Sequence, residues 1–254
     1  MGTSFTFGTA REMNPLILSI IFGLAAAFAN LVGGLIIVKA HWRREYLKYF
    51  LALGSGFMLG AAFLEMIPTS FRLFHASPVL ILTGYLIVHL FEHGFAPHFH
   101  FGEEVHTEAM LDPRVGLSAL IGLISHTFFD GVTIASGFIV SYQLGIILFL
   151  AVILHKLPEG FTISSIMIAS GRSKAVSLMA AMILGIATMA GVLTMGLVKG
   201  LVHYGLPLSA GVTIYVAASD LMPEVNEEPG VRLSLFVFGG IVLFIATRAV
   251  LESF

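Results

Sequence analysis

The sequence predicts an all-α integral membrane protein with eight transmembrane helices and an inverted repeat, and three observations carry that prediction. Of the 254 residues, 57% are hydrophobic and only 11% are charged, against about 25% charged in soluble domains. Eight apolar stretches approach the roughly 20 residues needed to cross a hydrocarbon core. Two of them, the second and the seventh, end on matching acidic-proline tetrapeptides, E-M-I-P at 65–68 and D-L-M-P at 220–223. Helices five spans apart run in opposite directions, so the match has the sense of an inverted-topology repeat.

The segments follow from the runs of apolar residues, at about 16–38, 50–68, 79–93, 115–140, 143–170, 175–199, 206–224 and 233–252. Residues 1–254 therefore read as one polytopic domain, and the arrangement is 3+2+3 with the fourth and fifth helices as the central pair. The N-terminal G-T-S-F-T-F-G-T-A-R-E-M-N-P lacks a basic n-region before an apolar core, so it is read as a short tail and not as a cleavable signal. The third segment is short, and its end around His89 to His93 is expected to continue toward the headgroups. The loop at 94–114 is rich in histidine and acid, with His98, His100 and His106 as candidate metal ligands and Glu92 just before it. With the N-terminus outside, the inner connections hold Lys39, Arg43, Arg44, Lys48, Arg114, Arg172, Lys174 and Arg232, and the outer ones Arg11, Arg72, Lys199 and Arg248. This eight-to-four bias places both termini outside and the 94–114 loop in the cytoplasm.

Charged groups in mid-membrane cost about 2.5–3.5 kcal/mol each on insertion scales, so they face a pathway or a partner. The fourth segment carries S-H-T-F-F-D-G, with His126 and Asp130; the fifth carries H-K-L-P-E-G, with His155 and Glu159. An i, i+4 spacing stacks both side chains of a pair on one helix face. Because consecutive spans are antiparallel, His126 meets the level of Glu159, and Asp130 that of His155. Two imidazoles and two carboxylates suit zinc or another divalent first-row ion. There are no cysteines, which excludes thiolate sites and disulfides. Pro158 is expected to break its helix near midplane, as in transporters. Glu65 is expected on the outer side of this cluster and Asp220 on the inner side, as an entrance and an exit. Met58, seven residues before Glu65, offers a thioether on the same face, although core packing is its ordinary use.

These residues resemble the ZIP (Zrt- and Irt-like) divalent metal transporters. That family has eight spans, a His-containing loop after the third, and the motifs H-N-x-x-[DE]-G and H-x-x-P-E-G on the fourth and fifth. H-T-F-F-D-G at 126–131 and H-K-L-P-E-G at 155–160 are similar to those motifs, and E-M-I-P is similar to the family's second-helix motif. The resemblance implies metal movement toward the cytoplasm, with the fourth and fifth helices building the site. This chain departs from two-metal members at Thr127, Lys156 and Thr188, where they carry amide or carboxylate groups. The departures all concern a second metal position, which points to a mononuclear site in which the Lys156 ammonium replaces the second ion.

The resulting expectation is a divalent metal transporter of the cell membrane, with zinc first and iron, manganese, cadmium or cobalt as further candidates. The metal is its substrate, and no permanent cofactor is expected. Partners are the metal ions and the lipid bilayer, with no nucleic acid. G-F-M-L-G at 56–60 and G-L-V-K-G at 196–200 have small-residue spacing that suits either a homodimer or packing within the bundle. The rival from another class is an intramembrane zinc-dependent hydrolase. It lacks the H-E-x-x-H helix of metalloproteases and gives no task to Glu65 and Asp220.

Overall fold

The computed structural model describes residues 13–39, 44–95, 113–198, 200–227 and 230–253, and among these every regular element is helical. Helix α1 is Pro15–Lys39. Helix α2 covers 44–73, built from Arg44–Ala61, a π-helical turn Ala62–Met66 and Ile67–Leu73. Then come α3 at Ser77–Phe95, α4 at Pro113–Val140, α5 at Tyr142–Ala169 and α6 at Lys174–Leu197. Helix α7, Val202–Asn226, carries its own π-helical turn at Val216–Leu221, and α8 is Arg232–Glu252. The candidate loop ligands His98, His100 and His106 lie outside the described residues.

Seven of these helices are long and apolar enough to cross a membrane, one fewer than the sequence reading. The other is α3, in which His89, Glu92 and His93 dilute the apolar run. At 19 residues it is about 28 Å long by the 1.5 Å rise, close to the ~30 Å of a hydrocarbon core.

The prolines behave differently from expectation. Helix α5 runs unbroken through Pro158 for 28 residues. The proline forfeits one backbone hydrogen bond, but α5 packs on α1, α2, α4 and α6, and those contacts hold the flanking turns in line. Pro68 and Pro223 do not end their helices either. Each follows a π-helical turn, in which the N–H of Ile67 reaches the carbonyl of Ala62 and that of Met222 reaches Ala217. The widened register puts each proline in the first turn of the next helical piece, where its missing N–H costs little. The extra residue also breaks the phase between Met58 and Glu65. Met58 is 1% exposed and packs in the main apolar core.

Glycines set how closely the helices approach. Gly33 and Gly160 lock α1 to α5, Gly131 and Gly191 lock α4 to α6, Gly56 and Gly240 lock α2 to α8, and Gly84 and Gly211 lock α3 to α7. A Cβ on Gly160 would lie 1.9 Å from the Asn30 carbonyl oxygen, and one on Gly211 would lie 1.8 Å from that of Ile81. Such backbone approach is how helices associate where lipid removes the usual hydrophobic drive. Exchanging α1 with α6, α2 with α7, α3 with α8 and α4 with α5 maps these pairs onto one another. Gly131 and Gly160 are also the glycines that follow Asp130 and Glu159, so each motif seats its own carboxylate. Gly56 and Gly60, read from the sequence as a possible dimer face, meet Val237 and Phe244 of α8 inside the bundle.

Gly211→Ala is therefore expected to lower the melting temperature in detergent, at a cost of about 1–3 kcal/mol or more for an overpacked contact. Gly239→Ala, whose Cβ would meet only the Leu53 side chain at 3.9 Å, is expected to leave it unchanged.

Candidate metal centre

The helical period places His126, Asp130, His155 and Glu159 on the facing sides of α4 and α5, and all four are at most 3% exposed. The Nε2 of His155 lies 3.2 Å from Asp130 Oδ2. The Nε2 of His126 lies 3.4 Å from Glu159 Oε1. Two ligands bound about 2.0 Å from a tetrahedral zinc stand roughly 3.3 Å apart, so both pairs have the edge length of such a site. His155 Nδ1 is 3.1 Å from the Ala151 carbonyl oxygen. When Nδ1 donates there, Nε2 presents its lone pair toward Asp130, the orientation a metal ligand needs. His126, Asp130 and Glu159 each offer a ligand atom, all within 4.8 Å of one another, and His155 joins them through Asp130. A cavity of about 10 Å³ lies between His126, His155, Glu159, Val216, Asp220 and Leu221, near the lower limit for one water.

Lys156 lies in the middle of these acids. It is fully buried, its Nζ is 2.6 Å from Asp130 Oδ2, and it donates to Glu159 Oε2. It also lies 3.4 Å from Thr127 Oγ1, and that hydroxyl donates to Glu159 Oε1. Helical phase alone, about 100° from His155, does not decide whether the ammonium turns to lipid or to the site; it faces the acids. Thr188 is buried on α6 and its hydroxyl donates to the Leu184 carbonyl at 3.3 Å.

Asp220 and Glu65 do not take symmetric places. Asp220, 4% exposed, forms a second trio with His126 and Glu92, whose ligand atoms again lie within 4.8 Å of each other. Asp220 Oδ2 and His126 Nδ1 make no hydrogen bond with the described residues, and Glu92 Oε1 stands 3.7 Å from that Nδ1. The expected exit carboxylate thus shares His126 with the central cluster instead of standing apart from it. Glu92 went unrecognised as a site residue because it sits in the histidine-rich tract before the loop; the signal was that it is the sole carboxylate of α3. Glu65 joins neither trio. It is paired with Arg248 of α8, Nε to Oε1 at 2.8 Å, in a cavity of about 290 Å³ with Thr69, Arg72, Ser141, Gln143 and Glu252 on its walls.

The family model of the ZIP zinc transporters matches residues 98–248, more than half of the chain. The chain belongs to the ZIP family. Comparison with curated proteins returned no match. The matched stretch takes in helices α4 to α7 and most of α8, and with them both trios except Glu92. ZIP membership makes the protein a membrane transporter of divalent metal ions and not a member of an enzyme family. A buried set of imidazoles and carboxylates on facing helices is the kind of donor set that such an ion requires.

Proposed function

We propose that the protein carries zinc toward the cytoplasm, one ion at a time, through eight spans with both termini outside. The observation that carries this reading is the pair of zinc-length edges, His155 to Asp130 and His126 to Glu159, facing each other across α4 and α5. Glu65 meets the arriving ion on the outer side. His126, Asp130, His155 and Glu159 bind it. His126 then belongs equally to the second trio, so rotation of one imidazole hands the ion to Asp220 and Glu92 without releasing it to lipid. His89 and His93, whose ring centroids lie 4.0 Å apart, extend the imidazole route, and His98, His100 and His106 are proposed to receive the ion after them.

Lys156 makes the site mononuclear in this reading. Its ammonium touches both carboxylates that a second ion would need. Lys156→Asn replaces that cation with an amide ligand, and equilibrium dialysis of the purified variant is expected to give about two zinc ions per chain where the wild type gives one. Unchanged stoichiometry would remove the argument.

Transport itself is tested by time-resolved zinc uptake into liposomes holding the purified protein. Saturable uptake is expected. Stoichiometric zinc binding by well-folded protein with no uptake would shift the reading to intramembrane zinc hydrolysis.

A further inference from the structure

Arg248 plays no part in the route just described, yet it occupies its first ligand. Its Nε lies 2.8 Å from Glu65 Oε1 and 2.8 Å from Glu252 Oε1, so one guanidinium bridges two carboxylates at the outer cavity. The two ends of the Glu65 pair differ in burial: the Arg248 side chain is 40% exposed and that of Glu65 is 15% exposed. The carboxylate is held by the protein, while the cation stands at the open side. Arg72, the other cation on this wall, is turned to Thr69, with Nη2 donating to Oγ1 at 3.0 Å.

We propose that Arg248 is a tethered counter-ion which holds the mouth carboxylates until a divalent ion displaces it, and so sets both the threshold and the charge selectivity of entry. The proposal rests on the reading of Glu65 as the first ligand. A guanidinium stays protonated at any physiological pH, so this latch opens by exchange and not by titration. An ion pair with one partner in solvent is weak, which lets it yield. A divalent ion brings twice the charge and binds carboxylate oxygen at about 2.0–2.2 Å, so it competes well; a monovalent ion matches the charge of Arg248 without the gain. The cavity, about 290 Å³, has room for an ion that still carries water and for the displaced side chain. Lys156 is the contrast: the same kind of charge pairing, but fully buried.

The test compares wild type, R248Q, R248K and the E65Q/R248Q double variant, by initial rates of zinc uptake into liposomes and by equilibrium zinc binding in detergent. R248Q is expected to lower KM by about two- to five-fold, the size of an exposed ion pair, with the effect on KM rather than kcat. R248K, which keeps the charge and loses the fork, is expected between R248Q and wild type, and it serves if R248Q does not fold. Adding E65Q is expected to abolish the gain. In the binding measurement R248Q strengthens a weak zinc site that depends on Glu65, a readout that decides the matter whether or not uptake is seen. A KM and a weak-site affinity unchanged or worsened in R248Q would overturn the proposal. Absence of uptake by wild type would instead overturn the transport route, and the two failures stay distinguishable.

Discussion

Liposomes carrying the His155→Ala, Glu159→Ala variant are expected to take up zinc at no more than about one hundredth of the wild-type rate. Loss of partners that merely orient a metal ligand costs about 10–100-fold in affinity or activity, and this variant removes two of the four ligands proposed. It takes one member from each zinc-length pair, leaving His126 and Asp130 on α4 without the facing donors of α5. Lys156 keeps Asp130 as its partner at 2.6 Å, so neither of these two buried charges is left alone in the variant. Monodispersity in detergent checks the fold, and radioactive zinc checks the rate. Uptake persisting within a few-fold of wild type would mean that the ion travels elsewhere.

Lys156→Met is expected to destabilise the metal-free protein by about 3–5 kcal/mol, the usual cost of removing one partner from a buried ion pair. Methionine fills a similar volume, so the loss is electrostatic. Asp130 and Glu159, both nearly inaccessible, then face one another without their common cation. Zinc is expected to restore much of the loss, because it supplies the missing positive charge and binds only the folded state. The signature is a melting temperature in detergent that falls in the variant and rises on zinc addition by more than it does in wild type. Equal melting temperatures without metal would show that the ammonium contributes no net stability.

Much of this arrangement was legible because helical geometry is periodic. The i, i+4 spacing of His126 with Asp130 and of His155 with Glu159 dictates a common face, and antiparallel succession of the two helices dictates which residue meets which. The glycine after each carboxylate was visible too, but its service to helix approach depends on partners such as Asn30 and Thr188 on other helices. The π-helical turns at Ala62–Met66 and Val216–Leu221 have no compositional mark. A proline at the end of an acidic tetrapeptide reads as a helix end, whereas an extra residue one turn earlier absorbs it. The ion pair of Glu65 with Arg248 joins the second helix to the last, and no local pattern encodes contacts of that range. Glu92 was hidden by the opposite fault, since its neighbours His89 and His93 made it look like part of the loop.

The burial of Lys156 against two carboxylates has an electrical consequence. Counted by themselves, Asp130, Glu159 and Lys156 sum to one negative charge, and to one positive charge with a divalent ion among them. If the site alternates between the two sides as proposed, a membrane potential, negative inside, draws this trio inward when loaded and outward when empty, by up to about 2.3 kcal/mol per 100 mV in each half of the cycle. Without the lysine the empty site would carry two negative charges and the loaded site none, so the field would act only on the return. In such a cycle the fixed ammonium would divide the work of the voltage evenly between delivery and recovery.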